Sequence, residues 1–168
     1  YREAPIKRLA GFLQAQHRCL ASLANGQREQ PNIVLLSPGP GSPGYFEHAW
    51  LANYMNFSLV EGDDLVVRDG QVAMRTLGGL KQVDVILRQI NDPWCDPLEL
   101  RPDSLLGVPG LLQAARCGNV HIANALGAGI LEHPGLSAFL PSLCQALLGE
   151  ELLLPCRETL WCGDARSL

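Results

Sequence analysis

Apolar and polar positions alternate in two different rhythms along this chain. Over residues 5–24, Ile6, Leu9, Leu13, Leu20 and Leu23 fall near one face at helical spacing, with Arg and Gln between them. That pattern predicts an amphipathic helix, and Asn25-Gly26 supplies a stop signal. The polar stretch GQREQP then reads as a linker. Residues 32–36 form an unbroken apolar run, the mark of a strand buried on both faces. SPGPGSPG follows as a turn, and residues 44–56 predict a helix closed at Asn56. Ser58-Leu59-Val60 reads as a short strand. DLVVRDGQVAMRT reads as a hairpin around Asp69-Gly70, because Asp-Gly tolerates the positive φ angles of a tight turn.

Further along, QVDVILRQI (82–90) predicts another strand, and NDPWCDPLELRPDS is irregular with three prolines. Pro109 opens a helix that Gly118 closes. NVHIANA (119–125) predicts a strand, and residues 134–148 predict a last helix bent or split at Pro141. Strands alternating with helices imply an α/β fold, mostly parallel, with one inserted β-hairpin. In such folds ligands gather at the carboxyl ends of the strands. The segments that follow strands are Ser37–Gly44, Glu61–Asp64, Arg88–Asp96 and Asn124–Gly129. All four are polar or glycine-rich, which marks that end of the sheet as the candidate site.

Composition narrows the function. The chain has 168 residues, enough for one domain with a real core, and 47% of them are hydrophobic. Net charge is −4 and no basic run is longer than the Lys7-Arg8 pair, which argues against nucleic acid and anionic membrane partners. The apolar runs are far shorter than the roughly 20 residues of a spanning helix. The six cysteines show neither Cys-x-x-Cys nor zinc-ligand spacing with histidine. They are expected to be mostly buried, reduced thiols of a cytoplasmic protein. The chain begins at Tyr1 and stops soon after Trp161-Cys162-Gly163-Asp164, and it is read as a segment of a longer protein.

The turn between the first strand and the second helix invites two readings. Gly39, Gly41 and Gly44 stand at G-x-G-x-x-G spacing, and Glu61 lies about 20 residues beyond, where a ribose-binding acid belongs in a dinucleotide fold. Against that, such a loop grips pyrophosphate through backbone N–H groups, and Pro40 and Pro43 have none. Gly-Lys-Ser/Thr is missing, which excludes a nucleotide-hydrolase phosphate loop. G-x-S-x-G is missing as well, so there is no nucleophile elbow. Asp63-Asp64 and Asp96/Glu99 do not assemble a metal-ligand set. His17, His121 and His133 attract no function, and His121 alternates with apolar strand residues as a packed side chain would.

Longer motifs are more specific. YFEHAWLANYMNFSLVEGDDLVVRDG, TLGGLKQVDVILRQIND, CDPLELRPDSLLGVPGLLQAARCGNVHIANALGAGILE, FLPSLCQALLGEELLLP and WCGD, in this order, resemble the bacterial circularly permuted ATP-grasp family. The resemblance covers residues 31–168; residues 1–30 match loosely, as a helix and linker belonging to a preceding region. It implies a Rossmann-like three-layer domain on the substrate side of a ligase similar to glutathionylspermidine and glutathione synthetases. Such enzymes join a carboxylate to an amine through an acyl phosphate, using ATP and magnesium. The resemblance places the ATP-clamping lysines and magnesium ligands in flanking segments, which would be this module's partners. The lysines here, Lys7 and Lys81, stand in no nucleotide-clamping context. Alone, the module is expected to be inert and to hold neither cofactor.

The site residues then take roles by their chemistry. Arg88, at the end of QVDVILR, resembles a carboxylate-binding Arg of the relatives, since its fork grips carboxylate bidentately. Its alternative is an ion pair with Asp92, Asp96 or Glu99. Ser37, with the N–H groups near Gly39 and Gly41, suits a second carboxylate or a peptide backbone. Tyr45, Glu47 and His48 suit an amine, His48 being equally a packing residue. Glu61 suits an ammonium group, or else caps its turn. Asn124 and Gly127 line the same cleft or simply turn the chain. The turn before YFEH carries smaller side chains than is usual in the family, and Gln89 and Asn91 replace charged residues common there. Two other readings stay open: a dinucleotide-binding oxidoreductase domain, and a non-catalytic interaction module.

Overall fold

The structure, a computed structural model, describes residues 8–24 and 30–164. The stop at Asn25-Gly26 and most of the linker therefore lie outside the described residues. The chain divides into two compact units, one running to Leu126 and one from Gly127.

In the first unit, β1 (Ile33–Leu36) lies between β2 (Ser58–Val60) and β6 (Val85–Arg88), and β7 (His121–Ala123) completes a four-stranded sheet in the order β2-β1-β6-β7. Every pairing is parallel. The unbroken apolar run is thus a central strand, and its side chains alternate between two cores. Ile33 and Leu35 meet Leu13 and Leu20 of α1 (Ala10–Ser22) and Ala52 and Met55 of α2 (Tyr45–Met55). Val34 and Leu36 face the other way, toward Leu65, Val72 and Leu111.

That second layer is a three-stranded antiparallel sheet of β3 (Leu65–Arg68), β4 (Gln71–Thr76) and β5 (Gly79–Gln82), joined by α3 (Leu111–Arg116). The expected hairpin is present, with Asp69 at φ 51° and Gly70 at φ 75° in its turn. Residues 82–90 do not form one strand. Gln82 ends β5, which pairs back on β4 after a tight turn at Leu77-Gly78, and a new strand starts at Val85. Asp84 marks the crossing, where its carboxylate accepts the Asn32 N–H at 2.7 Å.

Three further details go beyond the sequence pattern in the first unit. Leu9 lies outside the buried face of α1 and is 63% exposed. Yet α1 contributes Leu13 and Leu20, with Ala24 just beyond it, to the same core as the sheet. The irregular segment after β6 is stapled by fully buried Asp96, whose carboxylate accepts N–H groups from Leu98 (2.9 Å), Gly110 (3.1 Å) and Leu112 (2.9 Å). Two of those bonds tie down the start of α3, where backbone donors lack helical partners.

The second unit comprises two 3-10 turns, Ala128–Glu132 and Pro134–Ala138, then α4 (Leu140–Leu148). Pro141 sits in the first turn of α4, where its missing N–H costs nothing, so it starts a helix there. Gly149, at φ 70°, ends it. Phe139 and Trp161 meet edge to face at 5.4 Å. None of the described residues of this unit is buried. The expected burial of the cysteines holds for Cys95 alone; Cys19, Cys117, Cys156 and Cys162 are exposed, Cys144 is half-buried, and all six are free.

Candidate functional site

The carboxyl ends of β1 and β2 bring Ser37, Gly39, Gly44, His48 and Glu61 together. Ser37 continues β1, donating its N–H to the Val60 carbonyl at 2.8 Å, and is fully buried. Its hydroxyl accepts the Gly39 N–H at 3.2 Å and lies 3.1 Å from Nδ1 of His48. A buried hydroxyl needs an acceptor, and Nδ1 is the one beside it. His48 then carries its proton on Nε2, which faces the Gly44 backbone: a Cβ there would lie 3.1 Å from it. Burial lowers the His48 pKa below 6.5, with Glu47 beside it pulling the other way.

Glu61 follows β2 and approaches the same loop. Gly39 adopts φ +93°, and a Cβ there would meet Glu61 Oε2 at 2.7 Å. Glycine is required at this position for both its dihedral and its lack of a side chain. The Asp64 carboxylate accepts the Glu61 N–H at 2.9 Å, and the Glu61 side chain caps the Asp64 N–H in return, so the capping role expected as the alternative for Glu61 is present. Gly41 is open: nothing lies within 4 Å of the place a Cβ would take.

The glycine spacing thus serves packing against Glu61 and His48. It leaves few donors for a pyrophosphate. The Gly39 N–H goes to Ser37, the Ser42 N–H to the Gly39 carbonyl, the Gly44 N–H to Ser42 Oγ and the Tyr45 N–H to the Ser42 carbonyl. Pro40 and Pro43 have none to give. This corrects one reading: the Gly39 N–H, bound to Ser37 Oγ, is not free for a substrate carboxylate.

Arg88 stands at the end of β6 and is engaged by the protein on every side. Nε donates to the Asn124 carbonyl at 3.0 Å, Nη1 to the Ile90 carbonyl, and Nη2 to the Ala125 carbonyl at 3.4 Å. Nη2 also pairs with Asp92 at 2.6 Å. Of the three acids considered, Asp92 takes the ion pair; Asp96 binds backbone, and Glu99 pairs with Arg116. Asn124 enters through its carbonyl, as an acceptor for Arg88. The Cys95 thiol lies 4.0 Å from Arg88; burial pushes its pKa up, and the guanidinium pulls it partly back.

Tyr45 is half-buried and Glu47 is exposed on the first turn of α2, beside this cluster in sequence. Gly127, at φ 91°, belongs to the second unit. The sequence reading missed Ser42 and Gly44 as parts of the loop's internal bonding. Gly44 belonged to the recognised spacing and could have been found there. Among the described residues, no group of three or more His, Cys, Asp or Glu is arranged to hold a metal ion. Nor, among the described residues, is any helix long and apolar enough to cross a membrane.

Comparison with known proteins gives this geometry its context. An uncharacterized protein of Mycobacterium tuberculosis is 47% identical over 165 residues, covering 98% of this chain and 19% of that protein. One of Synechocystis is 41% identical over 162 residues, covering 96% of this chain and 34% of its own length. One of Mycobacterium leprae is 45% identical over 152 residues, covering 89% and 27%. The chain therefore spans 19–34% of the length of these relatives. The family model for circularly permuted ATP-grasp type 2 matches residues 1–168, from α1 through the strand-end cluster to the end of the chain. The chain belongs to the circularly permuted ATP-grasp type 2 family.

Proposed function

We propose that this chain is the substrate-side module of an ATP-dependent carboxylate–amine ligase, similar in chemistry to the glutathionylspermidine and glutathione synthetases. The observation that carries the reading is the cluster of Ser37, His48 and Glu61 at the carboxyl ends of β1 and β2, in a chain matched end to end by the family model. The four-stranded parallel sheet with helices on one face supports a Rossmann-like arrangement. The chain passes from β1 to β2 on one side and later to β6 on the other, so β1 and β6 flank a switch point of the kind where ligands bind.

In this reading the exposed Glu61 carboxylate attracts a substrate ammonium, and Nε2–H of His48 donates to a substrate oxygen. Tyr45 and Glu47 lie along the approach. Arg88 acts as a positioning residue that fixes the loops after β6 and β7 by its bonds to Asp92, Ile90 and Asn124. ATP and magnesium are bound by other parts of a longer polypeptide, which supply phosphoryl transfer, and the whole acts in the cytoplasm on small or peptide-like acids and amines.

The test uses the full-length protein and a panel of amino acids, dipeptides and polyamines, with ADP formation as the readout. Glu61→Gln is expected to raise KM for the amine about tenfold or more, the worth of one lost charge-assisted contact, with a smaller change in kcat. An unchanged KM for every amine accepted would overturn the assignment of Glu61.

A further inference from the structure

α2 turns one face into the core and an aromatic line away from it. Ala52 and Met55 are buried, whereas Phe46, Trp50 and Tyr54, each four residues from the next, share the outer side and are 78%, 48% and 48% exposed. Trp50 and Tyr54 stack, with centroids 5.3 Å apart and planes at 29°. The helix YFEHAWLANYM carries Glu47 but no Lys or Arg. A solvent-facing side is ordinarily charged, and a helix apolar nearly all round is one covered on both sides. Stacked aromatics suit an interface, because they bring large contact area and have little side-chain freedom to lose.

The size of this line points to what covers it. Aromatic side chains of about 150–250 Å² each, about half-exposed or more, leave a few hundred Å² in all. Each side of a standard interface between separate chains buries about 800 Å². A segment tied to the same polypeptide needs less, because linkage makes its docking intramolecular. The relatives have such segments: the match covers 19–34% of each, and the greater part of each polypeptide lies outside it.

We propose that the line of Phe46, Trp50 and Tyr54 seats another segment of the same polypeptide, outside these 168 residues and apolar where it meets α2. His48 stands two residues after Phe46 and belongs to the strand-end cluster, so the covering segment lies beside the candidate site. The inference rests on the chain being part of a longer polypeptide and not on the ligase chemistry.

Hydroxyl-radical footprinting of the full-length protein, with each rate scaled to the side chain's intrinsic reactivity, reads the cover directly. Left bare, Phe46 would be oxidised faster than buried Phe57 in proportion to 78% against 9% exposure. Covered, Phe46 and Trp50 should be protected to the level of Phe57, and dilution should not change this. With the photo-crosslinker p-benzoylphenylalanine in place of Trp50, irradiation of the full-length protein should give a product of monomer mass, joined to a peptide outside residues 1–168. Oxidation in proportion to the bare exposures, protection lost on dilution, no crosslink, or a crosslink to a second copy or within the 168 residues would each overturn it. Neither readout involves ADP formation, so failure here and failure of the ligase reading are told apart.

Discussion

Ser37 Oγ and His48 Nδ1 lie 3.1 Å apart, joining the end of the central strand to the first turns of α2. The same oxygen accepts the Gly39 N–H, so one buried hydroxyl sets both the loop conformation and the tautomer of the ring. Replacing it strands a donor and an acceptor at once. Ser37→Ala is expected to destabilise the chain by about 1–3 kcal/mol, the cost of leaving buried polar groups unpaired. Urea unfolding with an unchanged m-value would register it as a lower midpoint. A midpoint equal to the parent's would mean that the bond contributes nothing.

His48 also makes stability depend on pH. Its pKa is lowered by burial, so the folded state binds fewer protons here than the unfolded chain. The stabilisation is present above the ordinary value of 6.5 and is lost as pH falls from there through the lowered value. His48→Gln should flatten that part of the stability–pH curve. An identical slope between about pH 7 and pH 5 in parent and variant would refute the assignment.

Gly39 is held by two separate constraints, and they can be pulled apart. Gly39→Ala adds a Cβ 2.7 Å from Glu61 Oε2 and places it at φ +93°. The dihedral alone costs about 1–2 kcal/mol. The clash adds to that until the carboxylate moves. In Gly39→Ala/Glu61→Ala, compared with Glu61→Ala alone to allow for the lost cap on Asp64, the clash is gone and only the dihedral cost remains. Thermal unfolding of both variants should show partial recovery in the double variant. Full recovery would mean that the backbone strain is negligible; no recovery would mean that Glu61 was never in the way.

Arg88 should behave as a strut. Arg88→Ala leaves Asp92 without its guanidinium and frees three carbonyls, so a loss of about 3–5 kcal/mol is expected. Arg88→Lys should recover little of it, because a single ammonium cannot reach acceptors on both sides of the fork. Unfolding midpoints close to the parent's for both variants would return Arg88 to the pool of groups free to meet a ligand.

Much of this architecture was legible in the chain. The apolar run at Ile33–Leu36 announces a strand buried on both faces, because no polar residue interrupts it. Asp69-Gly70 announces its own turn through the positive φ both residues adopt. β5 escaped notice because Gly79, Leu80 and Lys81 carry no alternation; pairing with β4 alone makes it a strand. The segments after the strands read correctly as polar and glycine-rich, but sequence does not reveal which donors a loop spends on itself. Gly39 and Gly44 look alike in a motif, whereas their neighbours, Glu61 and His48, become visible only in three dimensions. Arg88 shows the same limit: an Arg at a strand end has the right chemistry for a substrate carboxylate, and Asp92 four residues later has the right chemistry to occupy it.

The most direct measurement of the central claim is ADP formation with magnesium and ATP, made in parallel on this 168-residue chain and on the full-length protein with the amine and acid panel. A substrate-side module predicts no turnover by the chain and amine-dependent turnover by the full-length protein. Steady ATP hydrolysis by the chain itself, or full-length turnover indifferent to every amine and acid, would contradict it.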